Sequence, residues 1–576
     1  MIYKRKYAAR IIAITLSLVL VLGLNPGLAF ADEAIDTADT EEQGFVEQEA
    51  NEVYEVVSPT VEADEDNAIS GPPNEPIDEL TALEAVEDDI APLEAAAAAE
   101  LHASSGNLNA LALIGEWSAY VSPWDNTASI HSYTGTATTA VVPDVLVHNG
   151  KTYKVTELSL TVSQTTLRSV TVNASAITNI KIAAPNLTAL HLGSKSQLIE
   201  LECISTKVYS LDVSQCPALK KLRCSGGSLG GNLTNLILGN KPQLTFLHCY
   251  RNELTSLDIS GCQALTELQC QNNRLTSLYL GYRPRLECLV CDSNKLKVLN
   301  ISGCSALRWL WCGDNYLKSL NLSSCPALQN IVCNNNYIKK LNLGNRPQLT
   351  GLNCSGNQLK SININGCRAL KSFKCGKNQL KKINISKCKQ MRWLECDSNY
   401  LTKLNFSNIK TIETLNCSNN GLKTLKLSAQ KGLERLDCSF NKLKSLNLTK
   451  NSALVYLDCS KNKIKKLNLK KNVKLINAYC SHNNLKALNT SKNLELYDLD
   501  CEYNKIKKLN LKKNVRLYEI RCNNNELKSL VLTKNKKLRV VYCYANKIRG
   551  KNWKSLVKWR SNDPYRTTTI VIGPQG

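Results

Sequence analysis

The sequence LTFLHCYRNELTSLDI, residues 244–259, contains the pattern that determines the fold of this chain. Its apolar residues are spaced as L-x-x-L-x-C-x-x-N-x-L-x-x-L-x-I, with Cys249 and Asn252 at the centre. The same spacing returns every 21 residues up to Cys543, and each repeat cysteine is followed three residues later by asparagine. A fixed period of this kind predicts a stack of similar coils, each of which buries its apolar side chains against the next.

A shorter repeat lies inside this unit. Segments of the type L-x-x-L-x-L end at residues ten or eleven apart, about half of the full period: Val172, Ile182, Leu192, Cys203, Val213 and Cys224. Alternation of inward and outward residues within each segment is strand periodicity. The sequence therefore predicts an all-β dominated repeat solenoid, a parallel β-solenoid with two short strands per 21-residue coil and little helix.

Two polar positions recur at the predicted turns. The asparagine after each repeat cysteine can bond the backbone of its own turn and of the neighbouring coil. Ten residues after the asparagine, a second turn position holds a thiol in the earlier coils and an amide in the later ones: Cys216, Cys262, Cys304, Cys325, Cys367 and Cys388, then Asn451, Asn472, Asn493, Asn514 and Asn535.

The repeat resembles the leucine-rich repeat family, in particular the bacterial type with 21-residue units that read L-x-x-L-x-C/L-x-x-N-x-L-x-x-L-x-L. The resemblance covers roughly residues 155–549. It implies a secreted or surface binding scaffold, similar to the internalin-like adhesins, and a protein class that is rarely enzymatic. The chain departs from the 22- to 24-residue units of the family because its coils lack a longer helical segment.

The N-terminal residues have the pattern of a secretory signal peptide. Basic residues between Lys4 and Arg10 precede an apolar run over 11–24, and Ala29 and Ala31 form a small-x-small cleavage pattern. The apolar run is too short for a comfortable membrane span. We expect a secreted bacterial protein, or one held non-covalently at the cell surface, with no membrane span after the signal is removed.

Charge divides the rest of the chain into two parts. Residues 32–100 contain 23 acidic residues and no lysine or arginine, whereas residues 101–576 contain 68 lysines and arginines against 26 acidic residues. An acidic segment with few apolar residues is typical of disorder. The predicted organisation is a signal peptide over 1–31, an acidic disordered arm over 32–106, a β-rich N-terminal cap over 107–154, the leucine-rich repeat solenoid over 155–549, and a C-terminal cap over 550–576.

A column of cations, named here the lysine column, follows the repeat cysteines by six residues. Because this position lies between two inward leucines, its side chains should point outward and align from coil to coil. Two interpretations remain open: a solvated face that keeps the protein soluble, or a site for an anionic envelope polymer or a sulfated glycan. Nucleic acid is a less suitable partner, since no aromatic residues interleave with the column. The column consists of Lys297, Lys318, Lys339, Lys360, Lys381, Lys423, Lys444, Lys465, Lys486, Lys507, Lys528 and Arg549.

A second outward surface lies just before the repeat cysteines and mixes aromatic with charged residues. Rigid aromatic side chains give a large contact area at a low cost in conformational entropy, as at protein and carbohydrate contact surfaces. The alternative is that these side chains form ordinary contacts between neighbouring coils. The candidate partner-binding residues are Trp309, Trp311, Trp393, Asp437, Tyr456, Asp458, Tyr479, Asp500, Arg521 and Tyr542.

The chain has 24 cysteines, and their regular spacing favours buried free thiols over disulfides. Side chains stacked in one column lie about 4.8 Å apart, beyond the usual distance between bridged β-carbons. Bridges between Cys304 and Cys325, or between Cys367 and Cys388, remain possible at the turns. Cys288 forms the one C-x-x-C motif, with Cys291, which is weak evidence for redox chemistry or a metal site.

The sequence gives little support for catalysis. The six histidines are scattered and do not accompany a recognisable nucleophile, and no carboxylate pair stands apart in the pattern. We therefore expect a non-enzymatic scaffold without cofactor or metal that binds a protein or carbohydrate ligand. The alternatives are an envelope-polyanion binding protein and, more remotely, an enzyme whose site has no recognisable motif.

Overall fold

The computed structural model describes residues 110–161, 166–227, 230–561 and 569–571. The predicted signal peptide and acidic arm lie outside the described residues. Among the described residues, one α-helix is present and nearly all other regular structure is β-strand. No helix in this part of the chain has the length and apolar character that a membrane span requires.

The described residues begin with a group of longer strands that precede the regular coils. β1 and β2 form an antiparallel pair, β3 pairs with β2, and β6 joins β3 to the solenoid because it also pairs in parallel with β8. Trp117 packs against Tyr133 in this region, with ring centroids 5.0 Å apart. The bounds are β1 Ala110–Ile114, β2 Trp117–Ser122, β3 Thr127–Tyr133, β4 Thr139–Val142, β5 Val145–His148, β6 Lys151–Leu160, β7 Ser169–Val172 and β8 Asn179–Ile182.

The solenoid continues as one parallel ladder in which the residues just before each repeat cysteine form a strand. The register is uniform from coil to coil, as in the pairing of Leu247 with Leu268 and of Leu268 with Leu289. The next strands are β9 Ala189–His191, β10 Glu200–Cys203, β11 Ser210–Asp212, β12 Lys221–Arg223, β13 Asn235–Ile237, β14 Phe246–His248, β15 Glu267–Gln269, β16 Cys288–Val290, β17 Trp309–Trp311, β18 Asn330–Val332 and β19 Gly351–Asn353. The later ones are β20 Ser372–Lys374, β21 Trp393–Glu395, β22 Thr414–Asn416, β23 Arg435–Asp437, β24 Tyr456–Asp458, β25 Asn477–Tyr479, β26 Asp498–Asp500, β27 Glu519–Arg521 and β28 Val540–Tyr542.

The parallel solenoid is thus confirmed, but the second segment of each coil forms strands only in the early part. β4, β7 and β9 form one small sheet, and β11 pairs with β13 in another. In later coils the second segment makes few backbone bonds to its neighbour. Arg274 N–H donates to Leu254 O at 2.8 Å, but Leu254 N–H donates to the Asn273 side chain. Because an amide side chain takes the next backbone donor, a full ladder does not form there.

The repeat asparagines, named here the asparagine column, join each coil to the one before it. Asn273 Nδ2 donates to Cys249 O of the preceding coil at 3.0 Å and to Cys270 O of its own coil at 3.1 Å. Its Oδ1 accepts Leu254 N–H of the preceding coil at 3.0 Å. The same arrangement recurs up to Asn546. One buried amide therefore satisfies backbone groups that the turn would otherwise leave unpaired.

The turn that places these asparagines holds its preceding residue in the left-handed backbone region. Asn272, Ser293 and Phe440 have φ of 55°, 51° and 50°, although none of them is glycine. A single left-handed residue of this kind costs about 1 kcal/mol or more. The hydrogen bonds of the following asparagine offset that cost in each coil.

In most coils the second turn position has one chemical role despite its varied residues: its side chain donates to backbone carbonyls, usually of the preceding coil. Ile409, which has no side-chain donor, is an exception. Cys325 Sγ lies 3.4 Å from Ile301 O. Gln430 Nε2 lies 2.8 Å from Ile409 O, and Asn472 Nδ2 lies 2.7 Å from Asn451 O. Buried Lys195, Lys241, Arg283 and Arg346 occupy this position in other coils, and their cationic groups also donate to backbone oxygens.

All 24 cysteines are free thiols in the structure, and only Cys288 is not fully buried. Burial raises the pKa of Cys262 and Cys304 to about 11. Burial and the nearby Glu267 and Asp292 carboxylates raise the pKa of Cys288 as well. The C-x-x-C pair therefore lacks the electropositive surroundings that activate a thiolate.

The described chain ends with α1, Gly550–Ser561, and with β29, Thr569–Val571, which pairs in parallel with β28. Leu556 of α1 is buried, and Trp553 and Trp559 pack against the core. Within the described residues, helix is confined to this C-terminal position.

Replacing one repeat asparagine should destabilise the whole solenoid. Asn378→Ala removes the donor to Cys354 O and the acceptor of Leu359 N–H, and leaves these buried groups unpaired. We expect a loss of about 2 to 4 kcal/mol in the free energy of unfolding, measured by urea denaturation. Asn384→Asp is the matched control, because Asp258 forms the equivalent exposed turn bond. Equal effects of the two substitutions would contradict the assigned role.

Candidate functional site

The candidate site is the strand face, defined as the outward side chains located three residues and one residue before each repeat cysteine. Strand alternation sends the middle residue inward, so that Leu310 is fully buried between Trp309 and Trp311. Every predicted partner-binding residue lies on this face. Most are partly buried, and Asp500 is buried.

The tryptophans occupy the middle of the strand face and flank a run of small side chains. Trp309 is followed along its column by Asn330, Gly351 and Ser372, and the column then reaches Trp393. Four coil steps separate the two tryptophans, which is roughly 19 Å at the usual strand spacing. Asn330 and Ser372 are each 1% exposed and Gly351 is buried, so that the partly exposed tryptophan rings form the accessible surface of this column.

Polar contacts hold these tryptophans in place. Trp311 Nε1 donates to Asn330 Oδ1 at 3.2 Å. The Arg392 guanidinium lies 4.8 Å from the centroid of the Trp393 ring. Among the described residues, Trp309 Nε1 and Ser372 Oγ are buried and have no hydrogen-bond partner. Polar contacts therefore order Trp311 and Trp393, whereas the two unpaired atoms lie below the surface.

Several of the remaining predicted residues, in later coils, form a network with other side chains of the strand face. Tyr479 Oη donates to Asp498 Oδ2 at 2.7 Å, and the Arg435 guanidinium lies 4.6 Å from the Tyr456 ring centroid. Arg521 forms an ion pair with the carboxylate of Glu519. The contacts of Tyr479 and Tyr456 thus join neighbouring coils, which is the structural alternative noted from the sequence, whereas the Arg521–Glu519 pair lies within one strand.

Burial raises the pKa values of several carboxylates in this network. Desolvation and the nearby Asp437 carboxylate, opposed by hydrogen bonds from Ser460, together raise the pKa of Asp458 to about 6. Desolvation also raises the pKa of Asp498, Asp500 and Glu519. Among the described residues, no cluster of histidine, cysteine and carboxylate side chains is arranged to hold a metal ion.

An aromatic group on the strand face was missed from the sequence. Phe246 and His248 of β14 pack together with ring centroids 3.9 Å apart, and the Arg223 guanidinium lies 5.2 Å from the Phe246 ring centroid. His248 Nε2 lies 2.9 Å from Glu267 Oε1. Their places in the repeat were a sufficient signal, because they are the same two outward positions that Trp309 and Trp311 hold.

The lysine column lies on a different side of the coil, and each of its twelve members is exposed. Within the described residues, none of its eleven lysines forms a salt bridge. The structure therefore aligns these cations but does not bring them together with the tryptophans.

Comparisons with known proteins support the fold. No protein-family model matches the chain, and no curated protein matches it. Solved structures similar to the chain are leucine-rich repeat proteins. One is the ectodomain of the plant receptor kinase GASSHO1/SCHENGEN3 from Arabidopsis thaliana, with 19% identity over 73% of this chain and 62% of that one, and a TM-score of 0.54.

Two further structures are similar over much of the chain. The PEPR1–AtPEP1 structure has 16% identity over 71% of each chain and a TM-score of 0.55. The functional domain of InlJ from Listeria monocytogenes, which includes a cysteine ladder, has 28% identity over 60% of this chain and 69% of that one, and a TM-score of 0.46. At these identities, the first two structures establish a leucine-rich repeat fold and nothing narrower.

The raised pKa of Asp458 predicts a pH-dependent stability. The folded state binds more protons than the unfolded state between pH ~4 and ~6, so that stability falls as pH rises through this range. Asp458→Asn should therefore raise the free energy of unfolding by about 1 to 2 kcal/mol above pH ~6 and change it little below pH ~4. Thermal unfolding over this pH range measures the difference.

The turn bond should survive this change, because Asn416 accepts the equivalent bond from Ser418 N–H at 3.1 Å. Asp258→Asn is the control, since hydrogen bonds from Ser260 lower the pKa of Asp258, and it should give no gain at neutral pH. A pH-independent effect of Asp458→Asn would contradict the account.

Proposed function

We propose that this leucine-rich repeat chain is a secreted, non-enzymatic binding scaffold that recognises a protein or glycan ligand on its strand face. The observation that carries the proposal is the placement of Trp309, Trp311 and Trp393 around the small residues Asn330, Gly351 and Ser372. A ligand would contact the partly exposed aromatic rings, since Asn330, Gly351 and Ser372 between them are buried. Adhesion is the biological role that such a surface would serve.

Several observations support this function. The uniform coils place the inward apolar side chains of successive repeats in one continuous core. The N-terminal basic and apolar pattern supports secretion. The similar GASSHO1/SCHENGEN3 ectodomain was solved in complex with CASPARIAN STRIP INTEGRITY FACTOR 2, which shows that one protein of this fold binds a partner.

The tryptophans can be replaced by residues that the same columns already hold. Trp311→Asn copies Asn353, and Trp393→Thr copies Thr414. After a ligand is found on a protein and glycan array, each substitution should weaken its binding by about 2 kcal/mol, because each removes a large aromatic contact. Isothermal titration calorimetry measures the loss.

Trp124→Asn is the matched control, since Trp124 is exposed in the N-terminal strand region, away from these coils. It should leave the affinity unchanged. Unchanged affinity in the double variant of Trp311 and Trp393 would exclude the strand face as the site.

A second candidate function is binding of an anionic envelope polymer or sulfated glycan to the lysine column. The specific observation is the alignment of twelve exposed cations, of which the eleven lysines form no salt bridge among the described residues. Three coils carry threonine at this position: Thr255, Thr276 and Thr402. The fold therefore accepts threonine at this position, and lysine can be replaced by threonine there.

The triple variant Lys444→Thr, Lys465→Thr and Lys486→Thr should weaken binding to heparin and reduce the slope of log affinity against log salt by about 2, because fewer counterions are released. The control replaces Lys389, Lys410 and Lys431 by serine, the residue that Ser305 and Ser452 place at the same turn position. Both triples lose the same charge. Equal losses of affinity would show a response to net charge and would contradict a defined column site.

A further inference from the structure

Two outward columns change from polar to apolar in the same few coils. The corner column lies fourteen residues after each repeat cysteine and holds Val473, Leu494 and Val515 in three consecutive coils. The pre-strand column lies three residues further on and holds Ile476, Tyr497 and Tyr518 in those coils. These six residues are named here the corner patch.

In the remaining coils from Cys249 to Cys522, the corner column is polar or proline. The pre-strand column is also polar in these coils, except that its apolar stretch begins one coil earlier, at Val455. Other corner residues are Gln263, Pro284, Ser305, Pro326, Pro347, Arg368, Lys389, Lys410, Lys431, Ser452 and Lys536. Other pre-strand residues are Thr266, Glu287, Arg308, Gln329, Thr350, Lys371, Arg392, Glu413, Glu434, Val455 and Arg539. The patch is thus a local departure from the repeat, and the fold does not require apolar residues at either position.

The patch is exposed and held on a rigid base. Val473, Leu494 and Val515 are 50%, 50% and 51% exposed, although aliphatic side chains are normally buried. Each is the second residue of a tight turn, as in the bond from Leu496 N–H to Asn493 O at 3.3 Å. The buried amides of the second turn position lie beside these corners, as in the bond from Asn493 Nδ2 to Asn472 O at 2.7 Å.

The aromatic part of the patch is also ordered. The rings of Tyr497 and Tyr518 are stacked with centroids 5.1 Å apart and planes inclined by 6°. Tyr518 and Ile476 are 38% and 39% exposed. Exposed apolar side chains on ordered elements mark an interaction site, and here they form two columns with charged residues between them.

The charges around the patch determine which partner fits it. Exposed lysines border the corner column on the side that precedes it in the chain: Lys470, Lys471, Lys492, Lys512 and Lys513. On the other side, Asp498 and Glu519 follow directly after the two tyrosines. Glu495 and Arg516 form an ion pair between the two columns.

These charges disfavour two other occupants. Insertion into a bilayer would bury the ion pair between Glu495 and Arg516, which is costly even though the bordering lysines would be attracted to anionic lipid. A second copy of the chain could bring one lysine border close to another. A partner with an apolar stripe and carboxylates along one side of it can place apolar groups against the patch and carboxylates against the lysine border.

We propose that the corner patch docks an acidic amphipathic helix of a partner protein. Successive coils place their tyrosine rings 5.1 Å apart. This spacing is close to the 5.4 Å pitch of an α-helix. A helix lying across the coils can therefore place apolar side chains from successive turns against successive rungs, while glutamates on one flank face the lysines. This inference does not depend on the proposed ligand of the strand face.

The test uses the full chain and a synthetic, fluorescently labelled acidic helix, with leucines at i, i+4 and i+7 and glutamates along one flank. Fluorescence anisotropy should show saturable binding that weakens as salt is raised. Leu494→Lys copies Lys431 and should weaken binding at least tenfold, because it removes an apolar contact. Purely electrostatic attraction would instead make this variant bind the acidic peptide more tightly, and that result would overturn the proposal.

The controls separate the patch from net charge and from the other occupants. Ser452→Lys adds the same charge in the same column outside the patch and should leave affinity unchanged. Tyr497→Glu copies Glu434 and should also weaken binding at least tenfold, with the fold of each variant checked by circular dichroism. The proposal is overturned if the peptide does not bind, if a scrambled peptide of equal composition binds equally, or if the patch variants instead abolish self-association or binding to anionic phospholipid vesicles.

Discussion

The buried amide of the repeat asparagine is the interaction on which the solenoid depends. Each amide donates to carbonyls of two coils and accepts one backbone N–H of the preceding coil, as Asn378 does with Cys354 O, Cys375 O and Leu359 N–H. Without it, the turn after each strand would leave several buried backbone groups unpaired. Because such groups are costly, this one residue type fixes both the turn and the distance between coils.

That constraint determines where function can lie. The interior columns of leucine, thiol and amide serve the stacking of coils, so that recognition falls to the outward columns, which the fold leaves free to vary. On the strand face, the tryptophans and small residues of β17 to β21 depart from the polar pairs of later coils. At the turn corners, Val473, Leu494 and Val515 depart from polar neighbours in a similar way. Departures from a repeat are informative because the repeat itself shows what the fold requires.

The sequence predicted the solenoid, its period and the burial of the repeat leucines and cysteines, since each depends on spacing alone. It overestimated the second strand, because spacing does not reveal that Leu254 N–H bonds a side chain and not a neighbouring backbone. It recognised the second turn position as thiol or amide but missed its buried cations. Lys241 and Arg283 share that position because they too can donate to carbonyls of the preceding coil.

The outward residues of the candidate site were also predictable, but their contacts were not. The 21-residue period of the sequence predicted that Trp309, Tyr456 and Tyr479 lie on one face. Only geometry shows that Tyr479 Oη bonds Asp498 and that Tyr456 lies under Arg435. Because these contacts already occupy side chains of the acidic later coils, the tryptophans are the better candidates for ligand binding. The raised pKa values of the later carboxylates likewise depend on burial, which a sequence pattern does not measure.

Hydroxyl-radical footprinting of the full chain with and without a ligand found on a protein and glycan array is the most direct test of the account. It reports the solvent access of side chains along every coil in one experiment. The account predicts protection of Trp309, Trp311 and Trp393 and unchanged oxidation of Trp124. If the ligand left the oxidation of these three tryptophans unchanged and protected side chains on other faces of the coils, the strand face would not be the binding site.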